Sequence, residues 1–447
     1  MNSHNRVQPF RFHLFDLPVH SHFREKSMQT TRTFQLVAMA AAMAFALSAQ
    51  AQQEIKIGVI YPLTGPLASS GAEMRDALEL AADIVNNGAK GIPELPFAAG
   101  GALANLKGAK IKLVFADHQG NPQIGATEAE RLVNQEKVVA LMGAYNSNVT
   151  QTASQVAERD KIPFLNAESS SPTLTQRGFK YFFRTTPHDE LFVHNAFDFI
   201  KDVEDSKHLK VTSVATLSEN TLFGNEASKL QAKFATEHGY TMVKQVSYPA
   251  KTTQLTSEVQ TLKAANAQVL LQSSYSEAIL SMKTYKELGY LPDMLIANDA
   301  GFADTEFTKT LGKDADYVIS REVWALDIGE KKPLIKKVDD LFKSRYKHDF
   351  TGNSARSFTG LIVLADAINR AGSTDPEAIR AALAATNMTG DKLIMPWKGV
   401  KFDEQGQNTL GSGILVQIRD GQYHTVWPFE LASRPFVWPM PKWDARK

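Results

Sequence analysis

The chain has no cysteine among its 447 residues. Thiolate nucleophiles, thiolate zinc sites and disulfide staples are therefore excluded. Net charge is almost absent as well, with 49 basic side chains against 48 acidic ones, so there is no concentrated basic surface of the kind nucleic-acid binding requires. No apolar run approaches the roughly 20 residues of a membrane-spanning helix. Four catalytic or nucleotide-binding patterns are also missing: the phosphate loop G-x-x-x-x-G-K-[ST], G-x-G-x-x-G after the first strand, the G-x-S-x-G elbow and H-E-x-x-H. Pro62-Leu-Thr-Gly-Pro66 stands where a dinucleotide-binding turn would lie, and prolines offer no N–H to a pyrophosphate. Beyond residue 51, His118, His188, His194, His208, His238, His348 and His424 never fall within four residues of one another. A local metal pair is not expected. What remains is a globular, non-enzymatic chain with no cofactor or metal, long enough for two or three domains.

The N-terminus carries a targeting pattern. The apolar stretch Leu36–Leu47 follows Arg32 and precedes Ala49-Gln-Ala51, after which the chain turns polar. Charge, short apolar run and small-x-small site together predict a signal peptide over 28–51, cleaved after Ala51. Residues 1–27 hold His4, His13, His20 and His22. They are read as an extension ahead of a start at Met28 rather than as a metal site.

From residue 55 onward β-branched runs alternate with helical patterns. Strands are expected at 55–60, 110–115, 138–142, 162–165 and 181–184, and helices from about Gly71 to Val85, over 124–135 and up to Arg159. The rhythm restarts near Lys210, with strands 211–217, 241–246, 269–272, 294–297 and 317–320 and helices 225–238, 255–264 and 277–288. Helices 334–346, 356–370 and 376–385 and a strand at 413–419 follow. Strands separated by helices of 10–15 residues imply βαβ units and parallel sheets covered on both faces; two such series imply two doubly wound α/β lobes. Gly91–Lys107, rich in Gly, Pro and Ala, reads as an inserted surface loop. Asp339-Asp340 read as a solvated helix face. The Pro- and aromatic-rich tail 431–447 is either an extended strap, which its rings favour, or a disordered end.

In such sheets ligands bind beyond the carboxyl ends of the strands, where helices begin. Three loops of the first series place hydroxyls and amides there: Leu63–Gly71 with Ser70, Gly143–Thr150 with Asn146 and Ser147, and Asn166–Pro172 with Glu168, Ser169 and Ser170. One such loop is adequately explained by helix capping; three on one edge point to a carboxylate-binding site. The second series offers Phe223, Tyr275 and Asp299 at its strand ends. Asp299 is read either as the partner of a ligand ammonium or as a turn residue, and the two rings either as pocket walls or as core.

These residues resemble the type I periplasmic solute-binding proteins of ABC importers, specifically the branched-chain amino acid (leucine/isoleucine/valine-binding) family. The similarity spans about 54–430. It rests on Ile55-Lys-Ile-Gly-Val-Ile-Tyr-Pro-Leu-Thr-Gly-Pro66, the 146–150 loop, Ser169-Ser-Ser-Pro-Thr-Leu-Thr175 with Arg177-Gly178, and Phe183-Arg-Thr-Thr186. Phe223-Gly224, Tyr275, the 298–302 loop and Phe402-Asp-Glu-Gln-Gly406 add to it. The resemblance implies two lobes joined by a three-crossover hinge, with lobe one at 54–187 plus 323–411 and lobe two at 188–322 plus 412–430. It also implies a monomer in the periplasm that closes on an amino acid, or a related amide or carboxylate, and delivers it to a membrane permease. The ligand carboxylate would sit on Ser147, Ser169 and Ser170, the ammonium near Asp299, and the aromatic walls would be Phe223 and Tyr275. Ser70 stands where some members have a tyrosine. Glu168 departs from the family's small apolar residue, so either a carboxylate faces the cleft or Glu168 turns to a neighbouring loop. A receptor of the same fold feeding a signalling partner and an exported enzyme are the alternatives.

Overall fold

The computed structural model describes residues 53–446; the expected signal peptide and the extension before it lie outside the described residues. Two sheets organise the chain. The first contains β1 (Glu54–Tyr61), β2 (Lys110–Asp117), β3 (Ala140–Gly143), β4 (Phe164–Asn166) and β5 (Phe182–Arg184) in the order β2-β1-β3-β4-β5, with every neighbouring pair parallel. The second contains β6 (Ser213–Glu219), β7 (Thr241–Tyr248), β8 (Val269–Ser273), β9 (Met294–Ala297) and β10 (Ile319–Glu322). Strands β11 (Asn387–Thr389) and β12 (Gly399–Lys401) form a separate hairpin, and β13 (Ile414–Arg419) and β14 (Gln422–Trp427) complete the second sheet as β14-β13-β10-β9-β8-β6-β7. There β13 runs antiparallel to both β10 and β14.

The helices that cover the sheets are α1 (Ala68–Asn87), α2 (Pro122–Asn134), α3 (Ser147–Arg159), α4 (Asp189–Lys207), α5 (Leu222–Glu237), α6 (Thr256–Ala265), α7 (Glu277–Glu287), α8 (Thr305–Leu311), α9 (Pro333–Tyr346), α10 (Gly352–Ala371) and α11 (Pro376–Ala384). Local chemistry sets their starts. Asn121 caps α2 ahead of Pro122, its side chain accepting from Gln123 N at 2.8 Å, and Thr351 caps α10. Gly71 lets the first turn of α1 lie on the preceding loop, since a Cβ there would sit 2.0 Å from Pro62 O. Helix α10 is buried from Gly352 through Ala365 and packs lengthwise along α1. The chain crosses between the two sheets three times: after β5, after β10 and before β13. Among the described residues no helix is long and apolar enough to cross a membrane.

Several boundaries differ from expectation. Helix α5 starts at Leu222 rather than 225, because Gly224 allows its first turn to close against Glu219, where a Cβ would come within 2.1 Å of the carbonyl oxygen. Strand β10 lies two residues later than expected, and β14 and the β11–β12 hairpin were not anticipated. Asp339 is buried, in contrast to the solvated reading: it accepts from Phe350 N at 2.7 Å and pins the loop before α10, while Asp340 stays exposed. The 91–107 segment is anchored, with Ile92, Leu95 and Leu103 in the core. The tail lies along the second sheet. Phe436 joins the cluster on one face and Met440 the cluster on the other, and Gln417 exchanges two hydrogen bonds with the backbone of Val437 at 2.9 and 3.1 Å.

Burial of Phe436 against Phe199, with centroids 5.5 Å apart, makes the tail part of the core. Phe436→Ala is expected to destabilise by about 2–3 kcal/mol, less than a central Phe deletion because a chain end relaxes more easily. Urea unfolding checks this, and an unchanged midpoint would show the strap to be dispensable.

Candidate ligand-binding cleft

The carboxyl ends of the two sheets face each other across a seam. On the first-sheet side, Arg184 at the end of β5 shapes the loop after β4. It is fully buried, and its guanidinium donates to Ser171 O at 2.6 Å, Ser169 O at 3.3 Å and Thr175 Oγ1 at 3.1 Å, with Gln407 Oε1 at 2.6 Å from Nε. Asn166 Oδ1 accepts from the amides of Glu168 and Ser169. The 168–171 backbone is thus pinned from below, with its outer edge turned to the seam. Burial lowers the Arg184 pKa to about 9.

At the centre lies a small cavity of about 20 Å³, lined by Tyr145, Ser147, Glu168, Ser170, Phe223, Tyr275, Asp299, Ala300, Arg321 and Arg356. Of the residues singled out in the sequence, Ser147, Glu168, Ser170, Phe223, Tyr275 and Asp299 meet there. Asn146 lines an adjoining pocket of about 70 Å³ that shares Tyr275. Ser70 and Ser169 are not in the lining. Ser70 Oγ donates across the seam to Asp304 Oδ2 at 2.5 Å. Ser169 Oγ is occupied by Thr150 Oγ1 at 2.7 Å and Tyr145 O at 2.9 Å, which makes it a strut of the loop.

The electrostatics centre on Asp299, at a positive φ of 56° after β9. Its Oδ2 accepts from Arg321 Nη1 at 2.7 Å and also from Arg356 Nη1. Arg321 belongs to β10 of the second sheet and lies over the Phe192 ring, 3.8 Å from its centroid; Arg356 belongs to α10 on the other side. The candidate ammonium partner is thus already shared by two guanidiniums, and its Oδ1 is buried without a partner. Glu168 faces the cavity. Its Oε1 accepts from Tyr61 OH at 2.7 Å and Ser357 Oγ at 2.6 Å, while Oε2 is buried and unpartnered; burial raises its pKa. Arg356 Nε is likewise unpartnered. The Tyr275 ring lies tilted between those of Phe223 and Tyr145, with centroids at 5.2 and 5.4 Å, and its hydroxyl accepts from Ser147 N at 3.4 Å.

Arg321, Arg356 and Tyr145 escaped the sequence reading, whereas Ala300 is the neighbour that competes with Asp299 for the ammonium position there. Arg356 left a trace: it is a lone charge on a helical stretch otherwise small or apolar from Ala355 to Ala365, apart from Ser357 and Thr359, and a cation placed so is buried with a partner or lines a site. Arg321 left none, because the strand carrying it was placed two residues early. Among the described residues no group of three or more His, Asp or Glu side chains is placed to hold a metal.

Two α/β lobes thus bring polar strand ends together around one cavity. A family model described as periplasmic binding protein matches residues 54–422. The chain belongs to the periplasmic binding protein family. A Leu/Ile/Val-binding protein homolog 7 of Brucella suis is 31% identical over 405 residues, covering 88% of this chain and 96% of that one. Among solved structures, the leucine-binding protein LivK of Thermotoga maritima superposes with a TM-score of 0.70 at 21% identity, over 83% of this chain and 97% of that one. A solute-binding protein of an ABC transporter from R. palustris in complex with benzoate gives 0.69 at 17% identity, over 83% and 95%. These structural likenesses establish the type I binding-protein fold.

Lobe contact around the cavity has a titratable component. Glu73 of α1 accepts from Thr305 Oγ1 at 2.6 Å across the seam and from Thr351 Oγ1 at 2.8 Å on its own side. Burial, reinforced by Asp304, raises its pKa from 4.5 to about 7. A carboxyl whose pKa is raised on folding binds its proton more tightly in the folded molecule, so stability declines as pH rises from about 4.5 through 7. Glu219, raised by burial to about 8, acts in the same sense. Glu73→Gln is expected to flatten this decline, recovering up to about 3 kcal/mol at pH 8 relative to pH 4.5. Urea titrations of both proteins at the two pH values check it; parallel pH profiles would show that Glu73 does not titrate in this range.

Proposed function

We propose that this protein is the substrate-binding component of an ABC importer, exported with cleavage after Ala51, which captures a small polar metabolite between its lobes and delivers it to a membrane permease. The observation that carries the reading is the set of unpartnered buried atoms around one cavity: Glu168 Oε2, Asp299 Oδ1, Arg356 Nε and Tyr145 OH. A buried polar atom without a partner is costly, and a ligand that supplies the partners offsets that cost. Two acceptors, one donor and a hydroxyl that can act as either match a molecule bearing both an N–H or O–H group and a carboxylate or amide oxygen, that is, an amino acid or a related amide or hydroxy acid.

The relatives support this class. The curated relatives are named for leucine, isoleucine and valine, and structural neighbours hold isoleucine and benzoate. Glu168 shifts the expectation toward ligands with a donor beyond the α-amino group. A cavity of about 20 Å³ is smaller than any of these, so ligand enters with the lobes farther apart. Contacts drawn from both lobes then favour the closed form by population shift.

A thermal-shift screen of amino acids, amides and small carboxylates tests the reading. A ligand at 100 times its Kd is expected to add about 2.7 kcal/mol of stability. Glu168→Gln is expected to weaken the best ligand about tenfold or more and to reorder the accepted set. An identical ligand profile for the variant would remove Glu168 from recognition, and import unaffected by deleting this protein would sink the transport role.

A further inference from the structure

Successive side chains of a strand point to opposite faces, and the end of β10 uses both. Arg321 enters the cavity between the lobes, and Glu322 enters a second, larger cavity of about 230 Å³ on the hinge side. This second cavity is built from three parts of the chain. Ala303, Thr305 and Thr308 come from the α8 region, Trp324, Ala325 and Leu326 from the crossover after β10, and His348 to Gly352 from the loop entering α10; Tyr423 of β14 closes one side.

Its floor is buried and its rim is exposed. Glu322, Trp324 and Phe350 are 3, 3 and 4% exposed, whereas Thr305 at the rim is exposed. Glu322 Oε1 accepts from Ser320 Oγ at 3.1 Å, but Oε2 has no partner, and neither has the indole Nε1 of Trp324. Among the described residues no Lys, Arg or His forms an ion pair with Glu322. Gly352 lets the start of α10 approach the carboxyl closely, since a Cβ there would lie 2.6 Å from Oε2. A buried acceptor at the base of a pocket walled by Trp324, Phe350 and Tyr423 suits a cation carrying an apolar body, because the rings attract cations through their faces and the carboxylate completes the charge pair.

We propose that this hinge-side cavity is a second ligand site, distinct from the cleft between the lobes, which takes a small organic amine with its nitrogen on Glu322 and its apolar body against Trp324 and Phe350. Its walls come from both sides of the seam, and Thr305 and Thr351 in its lining hold the Glu73 carboxylate between them. An amine bound there stiffens the joint about which the lobes move.

Benzylamine titrated calorimetrically into the purified full-length protein tests the site, with phenylacetate as the probe of opposite charge. The expected result is saturable one-to-one binding of benzylamine, weakened at least tenfold by Glu322→Gln and by Thr308→Trp, which fills the mouth without touching the floor, and unchanged by Glu168→Gln. Phenylacetate is expected to compete with none of it. Absence of saturable binding to a folded protein would overturn the proposal. So would binding that survives both Glu322→Gln and Thr308→Trp, or binding that is lost instead with Glu168→Gln, which would place the amine in the cleft.

Discussion

The carboxylate of Asp299 is the pivot on which the closed molecule depends. One of its oxygens receives a guanidinium from each side of the seam: Arg321 from the second sheet and Arg356 from helix α10. All three are almost fully buried. Removing any one would leave a charge in a low-dielectric interior, which costs far more than an exposed ion pair contributes. The arrangement therefore demands support, and the surrounding structure supplies it. Asn298 receives Arg321 Nε, Asn353 receives Arg356 Nη2, and Phe192 lies beneath the Arg321 plane. Helix α10, buried for most of its length, exists in this position to bring Arg356 and Ser357 to the seam.

Around that pivot the molecule divides labour between fixed and mobile parts. Arg184 and Asn166 fix the serine loop from within the first lobe, so Ser170 and Glu168 present a preset edge. Seam contacts such as Ser70 with Asp304 and Glu73 with Thr305 are side-chain hydrogen bonds between polar groups that water can also satisfy. Exchanging them for water costs little net free energy each.

Much of the fold was legible in the sequence because its signals are local. Runs such as Ile55–Ile60 and Val269–Gln272 could be placed as buried strands, and the alternation with helices gave two parallel sheets. The misplacements have physical causes. Strand β10 is four residues long and ends in Arg321 and Glu322, two charges that argue against a buried strand unless their partners are known. The partners of Arg321, Asp299 and Asp189, are 22 and 132 residues away. The site was half legible for the same reason. Polar loops at strand ends announce Ser147, Glu168 and Ser170, but a cleft residue on a helix flank or strand terminus is defined only by what packs opposite. Ser169 shows the converse error: a hydroxyl in the right loop whose bonds all turn inward.

The C-terminal strap has a consequence of a different kind. The antiparallel edge β13–β14 and the tail carrying Phe436 and Met440 complete the second sheet and its two apolar clusters, yet they follow β10 in the chain only after the helices of the first lobe. Without them that sheet would have an open edge beside β10 and two incompletely covered apolar faces. The strap acts as a closing stitch: losing it would uncover both apolar faces of the second sheet at once.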